Sequence, residues 1–353
     1  MLDIETYNQE WRDALISCGY SQYAAFQTST FEAFGFPTEV VSESELLRYV
    51  DFFAGEELPE RLDAGRFFRS SGLKTNFSLE EVSLLSRISQ GVGELTEKQM
   101  GCRLRPHFNH LGAMGHARMV QSLASAFGQD KISVFEVGPG AGYAGAILGL
   151  LGHNYSSYEI TQGYYLWQNR LLSHFFGNEF KDFCGIREPD LTELPRISHL
   201  PWWMYMKLHK NCPMRADVIL SNANLGEMNR WCLKYVLRLS RLMLSGSPIG
   251  MIVYGNTGAN HHSTDEIINM EFENAGFRRV LGDKMNAFGL ADREIDQSMI
   301  QHLDKEVPII GEDGSGKLYG PRDFIDFDKK DLHEEFSFFS FLADWPNFSS
   351  SEN

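Results

Sequence analysis

Ser133-Val-Phe-Glu-Val-Gly-Pro-Gly-Ala-Gly-Tyr-Ala-Gly145 is an apolar run with one acid in it, Glu136, that breaks into glycines at 138, 140, 142 and 145. A buried strand here delivers the chain to a turn so tight that only glycine tolerates its dihedrals and the close approach of a ligand. A helix begins again near Ala144, which places helix N–H groups beside the turn. The segment reads as a nucleotide-cofactor loop, and the fold follows from it.

Two patterns overlap on this loop. Gly140-x-Gly142-x-x-Gly145 fits the dinucleotide fingerprint, while Glu136-x-Gly138-x-Gly140-x-Gly142 fits a loop that holds S-adenosylmethionine. A dinucleotide lays its pyrophosphate on the helix N-terminus, where a preceding carboxylate opposes it. S-adenosylmethionine has no phosphate and carries a positive sulfonium and ammonium, so Glu136 favours the second pattern. A short helix at Ala144 to Leu151, with small residues at 144, 145, 146 and 149, is built to lie close on a sheet. His153 to Ile160 then reads as a second strand ending in Glu159, 21 residues past Gly138, the separation at which an acid meets ribose hydroxyls. Both cofactors carry a ribose, so Glu159 supports a nucleotide site without choosing between them. Its structural alternative is a solvated acid at a strand end.

At 353 residues, 43% of them hydrophobic, the chain holds a large α/β core and an appended segment. A net charge of −15 without a long basic block argues against a nucleic-acid backbone or an anionic membrane as partner. Met1-Leu-Asp-Ile-Glu-Thr6 has neither a basic nor an apolar leader region, and no apolar run approaches a membrane span, so the expected location is the cytoplasm. Cysteines at 18, 102, 184, 212 and 232 are scattered and lack a CxxC pair, which fits reduced thiols and no zinc site.

The expected fold class is α/β, a Rossmann-like doubly wound sheet with a helical N-terminal cap. Residues 1–104 read as helices, among them one opening with a capping box from Ser78 to Glu81. Strands and helices alternate over residues 105–281. Gly112 to Phe127 is a helix, Tyr164 to Phe176 an aromatic helix ended by Gly177, Ala216 to Asn222 a strand, Arg230 to Leu244 an amphipathic helix, and Gly250 to Tyr254 a strand. Glu266 to Gly276 reads as a helix and Phe277 to Leu281 as a strand, whereas 178–214, with four prolines, yields only one strand near Ile197 to Trp202. Residues 282–353 form a C-terminal extension. Its Gly311-Glu-Asp-Gly-Ser-Gly-Lys317 begins like a phosphate loop, but Leu318 replaces the required Ser or Thr, and Glu312 and Asp313 repel phosphate.

Val134-Phe-Glu-Val-Gly-Pro-Gly-Ala-Gly-Tyr143, Tyr158-Glu-Ile160 and Ser221-Asn-Ala-Asn-Leu-Gly-Glu-Met228 together resemble the class I S-adenosylmethionine-dependent methyltransferases over roughly residues 105 to 280. More narrowly they resemble the bacterial sugar O-methyltransferases, although the loop is Gly-Pro-Gly-Ala-Gly where those enzymes have Gly-Gly-Gly-Tyr-Gly. The resemblance implies S-adenosylmethionine as cofactor, held by Glu136, Gly138, Gly140, Gly142, Glu159 and Asn222, and a small-molecule acceptor such as a sugar or sugar nucleotide. Ser221-Asn222-Ala223-Asn224 lacks the (Asn/Asp)-Pro-Pro-Tyr clamp of amino-methylating enzymes, which points to oxygen as the nucleophile. A hydroxyl acceptor needs a base. Glu227 past one strand, and His261 or His262 past the next, are the candidates; for Glu227 the alternative is a carboxylate complementing a helix dipole. His261, His262 and Asp265 lack a third ligand on one element, so no metal is expected. His107, His110 and His116 read as surface or pocket-lining residues. The N-terminal helices offer a surface for a homodimer. Two other readings of the same sequence are an NAD(P)-dependent oxidoreductase on this loop and a non-catalytic methyltransferase-fold protein that binds a partner.

Overall fold

Val134, Phe135 and Val137, with only the buried Glu136 among them, make the apolar run that a strand needs when helices cover both its faces. Ser133–Val137 forms β1, buried in the middle of an eight-stranded sheet. The computed structural model describes residues 2–18, 40–54, 78–104, 106, 109–208, 212–222, 224–228, 230–255, 263–282 and 285–293. His261, His262 and the glycine-rich turn at 311–317 fall outside the described residues. In chain order the elements are α1 (Ile4–Cys18), α2 (Glu43–Ala54), α3 (Leu79–Met100), α4 (Asn109–Ala126), β1, α5 (Tyr143–Leu150), β2 (Asn154–Glu159) and α6 (Gln162–Phe176). They continue as β3 (Phe180–Asp182), β4 (Ile197–Pro201), β5 (Val218–Asn222), α7 (Arg230–Leu244), β6 (Met251–Gly255), α8 (Asp265–Asn274), β7 (Phe277–Gly282) and β8 (Met285–Leu290).

The strand order is β3-β4-β2-β1-β5-β6-β8-β7. The first six strands are parallel, and β8 runs against both β6 and β7. This is an α/β, Rossmann-like doubly wound sheet. A dinucleotide domain has the order 3-2-1-4-5-6, with a sixth strand delivered by a βαβ crossover and therefore parallel. Here that place belongs to β8, which arrives by a hairpin from β7. The sheet thus extends to Leu290, nine residues beyond the boundary that the sequence suggests at 281. Sequence reading also passes over β3, three residues long and too short to show a period.

The N-terminal helices pack on the sheet's helical flank, and one hydrophobic core runs from Ile4 to Leu290. The Ser78 to Glu81 capping box forms as the sequence indicates, and Glu81 also takes both ends of Arg118 on α4, at 2.6 and 2.7 Å. Arg170 on α6 makes a second bidentate pair with Glu43 on α2, at 2.6 and 2.7 Å. Asn8, the backbone of Val40 and Gln162 form a buried amide network that fastens α1 to the start of α6.

Close packing of α5 on the sheet depends on Gly145. A Cβ there would lie 2.4 Å from the ring of Tyr155, whose hydroxyl is anchored 2.6 Å from the Glu136 carboxylate. With the ring unable to swing aside, Gly145→Ala should destabilise the chain by about 1–3 kcal/mol, the usual cost of overpacking. Urea unfolding checks this, and an unchanged midpoint would show that α5 is free to lift.

Candidate functional site

β1 is the strand from which the chain departs to one side of the sheet, through β2 and the β3/β4 edge, before crossing to β5 on the other. Ligands of open α/β folds sit in the crevice beyond the carboxyl ends of strands at such a switch point. The loop Gly138–Gly142 leaves β1 there, with Gly138, Gly140 and Gly142 at φ 60, 59 and 76°. Their left-handed backbone favours glycine, but the space around each differs. A Cβ on Gly138 would fall 2.3 Å from Asn224 Nδ2, and one on Gly142 would fall 2.8 Å from Gln168 Cγ. Among the described residues, a Cβ on Gly140 would meet nothing within 4 Å. Gly138 and Gly142 therefore make room for side chains that hold the loop, and Gly140 alone of the three borders open space.

Glu159 stands at the end of β2, as the sequence suggests, and it organises this loop. Its Oε1 accepts the N–H groups of Ile160 and Thr161, both at 2.9 Å, and its Oε2 accepts the Gly140 N–H at 3.1 Å. Gln168 donates to the Gly140 carbonyl at 2.6 Å and reaches Glu159 Oε2 at 3.4 Å. Three backbone N–H groups thus already occupy acceptor positions of this carboxylate. Burial pushes the Glu159 carboxyl up to about 7 against those hydrogen bonds.

Glu136 lies beneath the loop, fully buried, on the side of the sheet where Tyr155 reaches it. Its Oε2 accepts the Tyr155 hydroxyl, and its Oε1 has no hydrogen-bond partner among the described residues. Burial pushes it up to about 8, opposed by the Tyr155 hydrogen bond. The structure thus places a largely protonated acid where the sequence suggests a strand-end charge. Glu227 ends a 3-10 turn, Leu225–Glu227, just past β5. Burial, and then the charge of Glu159, raise it to about 7.

Two further residues, Asn224 and His116, lie at this end of the sheet; the sequence places the first at a strand end without a role and reads the second as surface or pocket-lining. Asn224 donates to the Val137 carbonyl and, at 3.2 Å, to that of Gly138, while accepting from Ser221. It pins the glycine loop to the end of β5. His116, in the second turn of α4, is 1% exposed rather than on the surface, and its Nε2 borders Gly255 at the end of β6. Asn222, the last residue of β5, reaches the same spot with its Oδ1. Val120 and Leu123, one and two turns on, share the helix face of His116. Ser263, where the described chain resumes after β6, donates from its backbone to Gly226 at 3.1 Å. Among the described residues no three His, Cys, Asp or Glu side chains gather as a metal site, and no helix is long and apolar enough to cross a membrane.

No protein-family model and no curated protein matches the chain. Several solved methyltransferase structures are similar to it over about half its length. The CcbJ methyltransferase from Streptomyces caelestis is 14% identical, with 50% of this chain and 88% of that one covered at a TM-score of 0.34. Magnesium protoporphyrin IX methyltransferase from Synechocystis, solved with bound SAH, is 8% identical over 51% of this chain and 84% of its own, at a TM-score of 0.34. The bifunctional kinase-methyltransferase WbdD is 10% identical at a TM-score of 0.34, and this chain spans only 39% of it. Likenesses this distant say nothing of substrate or activity.

The raised Glu136 has a thermodynamic consequence. Its carboxyl keeps its proton in the fold up to about pH 8, while in the unfolded chain it ionises near 4.5. Folding takes up a proton between those values, so this residue makes stability fall as pH climbs from about 5 to 8 and level off above. Glu136→Gln, uncharged throughout, should flatten the slope, and urea midpoints of both proteins across that range test it. Parallel slopes would mean that Tyr155 holds an ionised carboxylate.

Proposed function

We propose that the chain is an S-adenosylmethionine-dependent methyltransferase acting on a hydroxyl oxygen of a small polar acceptor, with sugars as the first class to test. The observation that carries this reading is the acidic edge around Gly140. Glu159 accepts the Gly140 N–H, and Glu136 and Glu227 both lie near enough to Glu159 to feel its charge. Such an edge suits a phosphate-free cation. It opposes a pyrophosphate, which would also have to displace Glu159 from the Gly140 N–H. The reversed β8 is a second departure from a dinucleotide domain.

Bound S-adenosylmethionine would supply a methyl group on a positive sulfonium. The chain's own part is to hold and to take a proton. Gly138–Gly142, with Glu159 behind it, is the cradle, and Asn222 presents its amide from the facing strand. A cation at this edge favours the ionised forms of Glu136, Glu159 and Glu227, so the fold's reluctance to charge them is offset by the ligand. Glu227 is proposed as the base. A carboxyl near 7 is matched to accepting a hydroxyl proton at neutral pH, and no described residue hydrogen-bonds it.

Two measurements test the proposal. S-adenosylhomocysteine at about 100 times its dissociation constant should stabilise the chain by about 2.7 kcal/mol, while NAD should not. Gly140→Ala should weaken that binding at least ~10-fold, because its Cβ enters space that no described residue fills, and should cost the free protein about 1–2 kcal/mol for its left-handed backbone. A shift with NAD and none with S-adenosylhomocysteine would move the chain to the oxidoreductases. Glu227→Gln should keep S-adenosylhomocysteine affinity within a few-fold and lower methyl transfer by about 10²- to 10⁴-fold, the worth of one general base. Turnover unchanged by that substitution would remove Glu227 from the chemistry.

A further inference from the structure

On the methyltransferase reading above, a base has to be held at a fixed place against the methyl donor. We infer that Ser263 is the positioning residue of Glu227: by gripping the backbone on both sides of that residue, it fixes the carboxylate relative to the glycine loop.

Glu227 is the last residue of the 3-10 turn Leu225–Glu227. Burial and the charge of Glu159 act on its carboxyl, and no hydrogen bond does. A base is ordinarily oriented by a third group bonded to it. Here the backbone alone can do so. A 3-10 turn is a weak frame by itself, because its hydrogen bonds are poorly aligned. Within this one, Glu227 N–H donates to the Asn224 carbonyl at 3.0 Å and Met228 N–H to the Leu225 carbonyl at 3.3 Å.

Two further bonds reach the turn from Ser263, which is fully buried. Its N–H donates to the Gly226 carbonyl at 3.1 Å, and its hydroxyl donates to the Met228 carbonyl at 2.9 Å. Gly226 and Met228 are the two chain neighbours of Glu227, and both are buried. One residue therefore holds the peptide groups before and after the base. Serine hydroxyls inside a helix commonly bond one turn back, as Ser86 does to the Val82 carbonyl at 2.8 Å. That of Ser263 instead joins segments 35 residues apart.

Both ends of the grip are fixed. Ser263 directly precedes Thr264, the N-cap of α8, and α8 is seated in the core by Ile268 and Phe272. At the other end Asn224, whose carbonyl opens the turn, donates from its amide to the carbonyls of Val137 and Gly138. The glycine loop, the turn and α8 are thus linked in series. Loss of the Ser263 hydroxyl releases the Met228 side of the turn and leaves the bonds of Asn224 and Glu159 to the loop in place. A misplacement of about 1 Å at a reacting group can cost about 10²-fold in rate, so this hydroxyl should matter to turnover and little to cofactor binding.

The test uses the full chain with methyl-labelled S-adenosylmethionine, and free sugars, methyl glycosides, nucleotide sugars and a small-metabolite extract as acceptors. Ser263→Ala keeps the N–H bond to Gly226 and loses the hydroxyl. With an acceptor that takes label, it should lower kcat about 10- to 100-fold, while acceptor KM and the S-adenosylhomocysteine dissociation constant stay within about threefold of the parent. Thr264→Ala removes the neighbouring hydroxyl from the α8 cap, not from the turn, and should keep kcat within about threefold. A double-mutant cycle separates positioning from general loosening. In the Glu227→Gln background, Ser263→Ala should change residual turnover by less than about threefold, since no base is left to place. An unchanged kcat in Ser263→Ala, an equal loss in the parent and Glu227→Gln backgrounds, or an equal loss from Thr264→Ala overturns the inference. Amide hydrogen exchange supplies a readout without turnover. The Glu227 and Met228 amides should exchange at least ~10-fold faster in Ser263→Ala, with that of Gly140 unchanged. Unaltered protection at 227 and 228 also overturns it. No S-adenosylhomocysteine binding by the parent, or binding without label in any acceptor, defeats the methyltransferase reading and this inference together. Binding and turnover with Ser263→Ala as fast as the parent defeats the inference alone.

Discussion

A loop that must leave space for a ligand cannot be held by side chains of its own, so it is held from outside. Here three residues from three different elements do so. Glu159 at the end of β2 takes the Gly140 N–H, Gln168 on α6 takes its carbonyl, and Asn224 past β5 takes the carbonyls of Val137 and Gly138. Each clamp needs a glycine or a strand end opposite it, and the rest of the crevice is placed by the same contacts. Because Asn224 also accepts from Ser221, the position of the glycine loop and the exit of β5 are fixed together. The 3-10 turn carrying Glu227 begins at the very next residue.

Electrostatically, the edge is held just short of charging. Glu136, Glu159 and Glu227 are raised by burial to about 8, 7 and 7, and Glu136 and Glu227 are raised further by the charge of Glu159. The described stretches 138–142, 160–161, 224–228 and 263–264 contain no lysine or arginine. A site of this kind binds weakly to anions and has free energy to gain from a cation, which is the reason its preference is set by ligand charge before any shape is considered.

The parts of this fold legible in sequence were those governed by local rules. The apolar run into glycines, the acid 21 residues on, the helix Arg230–Leu244 and the Ser78 capping box each depend on residues close together in the chain. Long-range contacts were not legible. Gln168 sits inside an aromatic helix, and nothing nearby marks it as a partner of Gly140, 28 positions away. Glu136 is recognisable as an acid, but its protonation is decided by Tyr155 and by depth in the sheet, neither of which is visible in the loop motif. β8 contains Asn286 and Gly289, which read as turn residues, and only its pairing with β6 and β7 makes it a strand. His116 read as surface or pocket-lining, and the sequence could not choose between them because its neighbours Asn222 and Gly255 are more than a hundred residues later.

The late hairpin bears on how the chain can be shortened. β6 is completed on its outer side only by β8, whose register runs from Met251 opposite Gly289 to Gly255 opposite Met285. A protein cut after residue 281 would keep the glycine loop and every acid of the crevice while exposing the whole of that flat, apolar strand edge to solvent. Such an edge recruits other chains. Any shortened form that keeps this edge covered has to retain the chain to about Arg293, whose backbone carbonyl closes the hairpin by accepting from the Arg278 side chain.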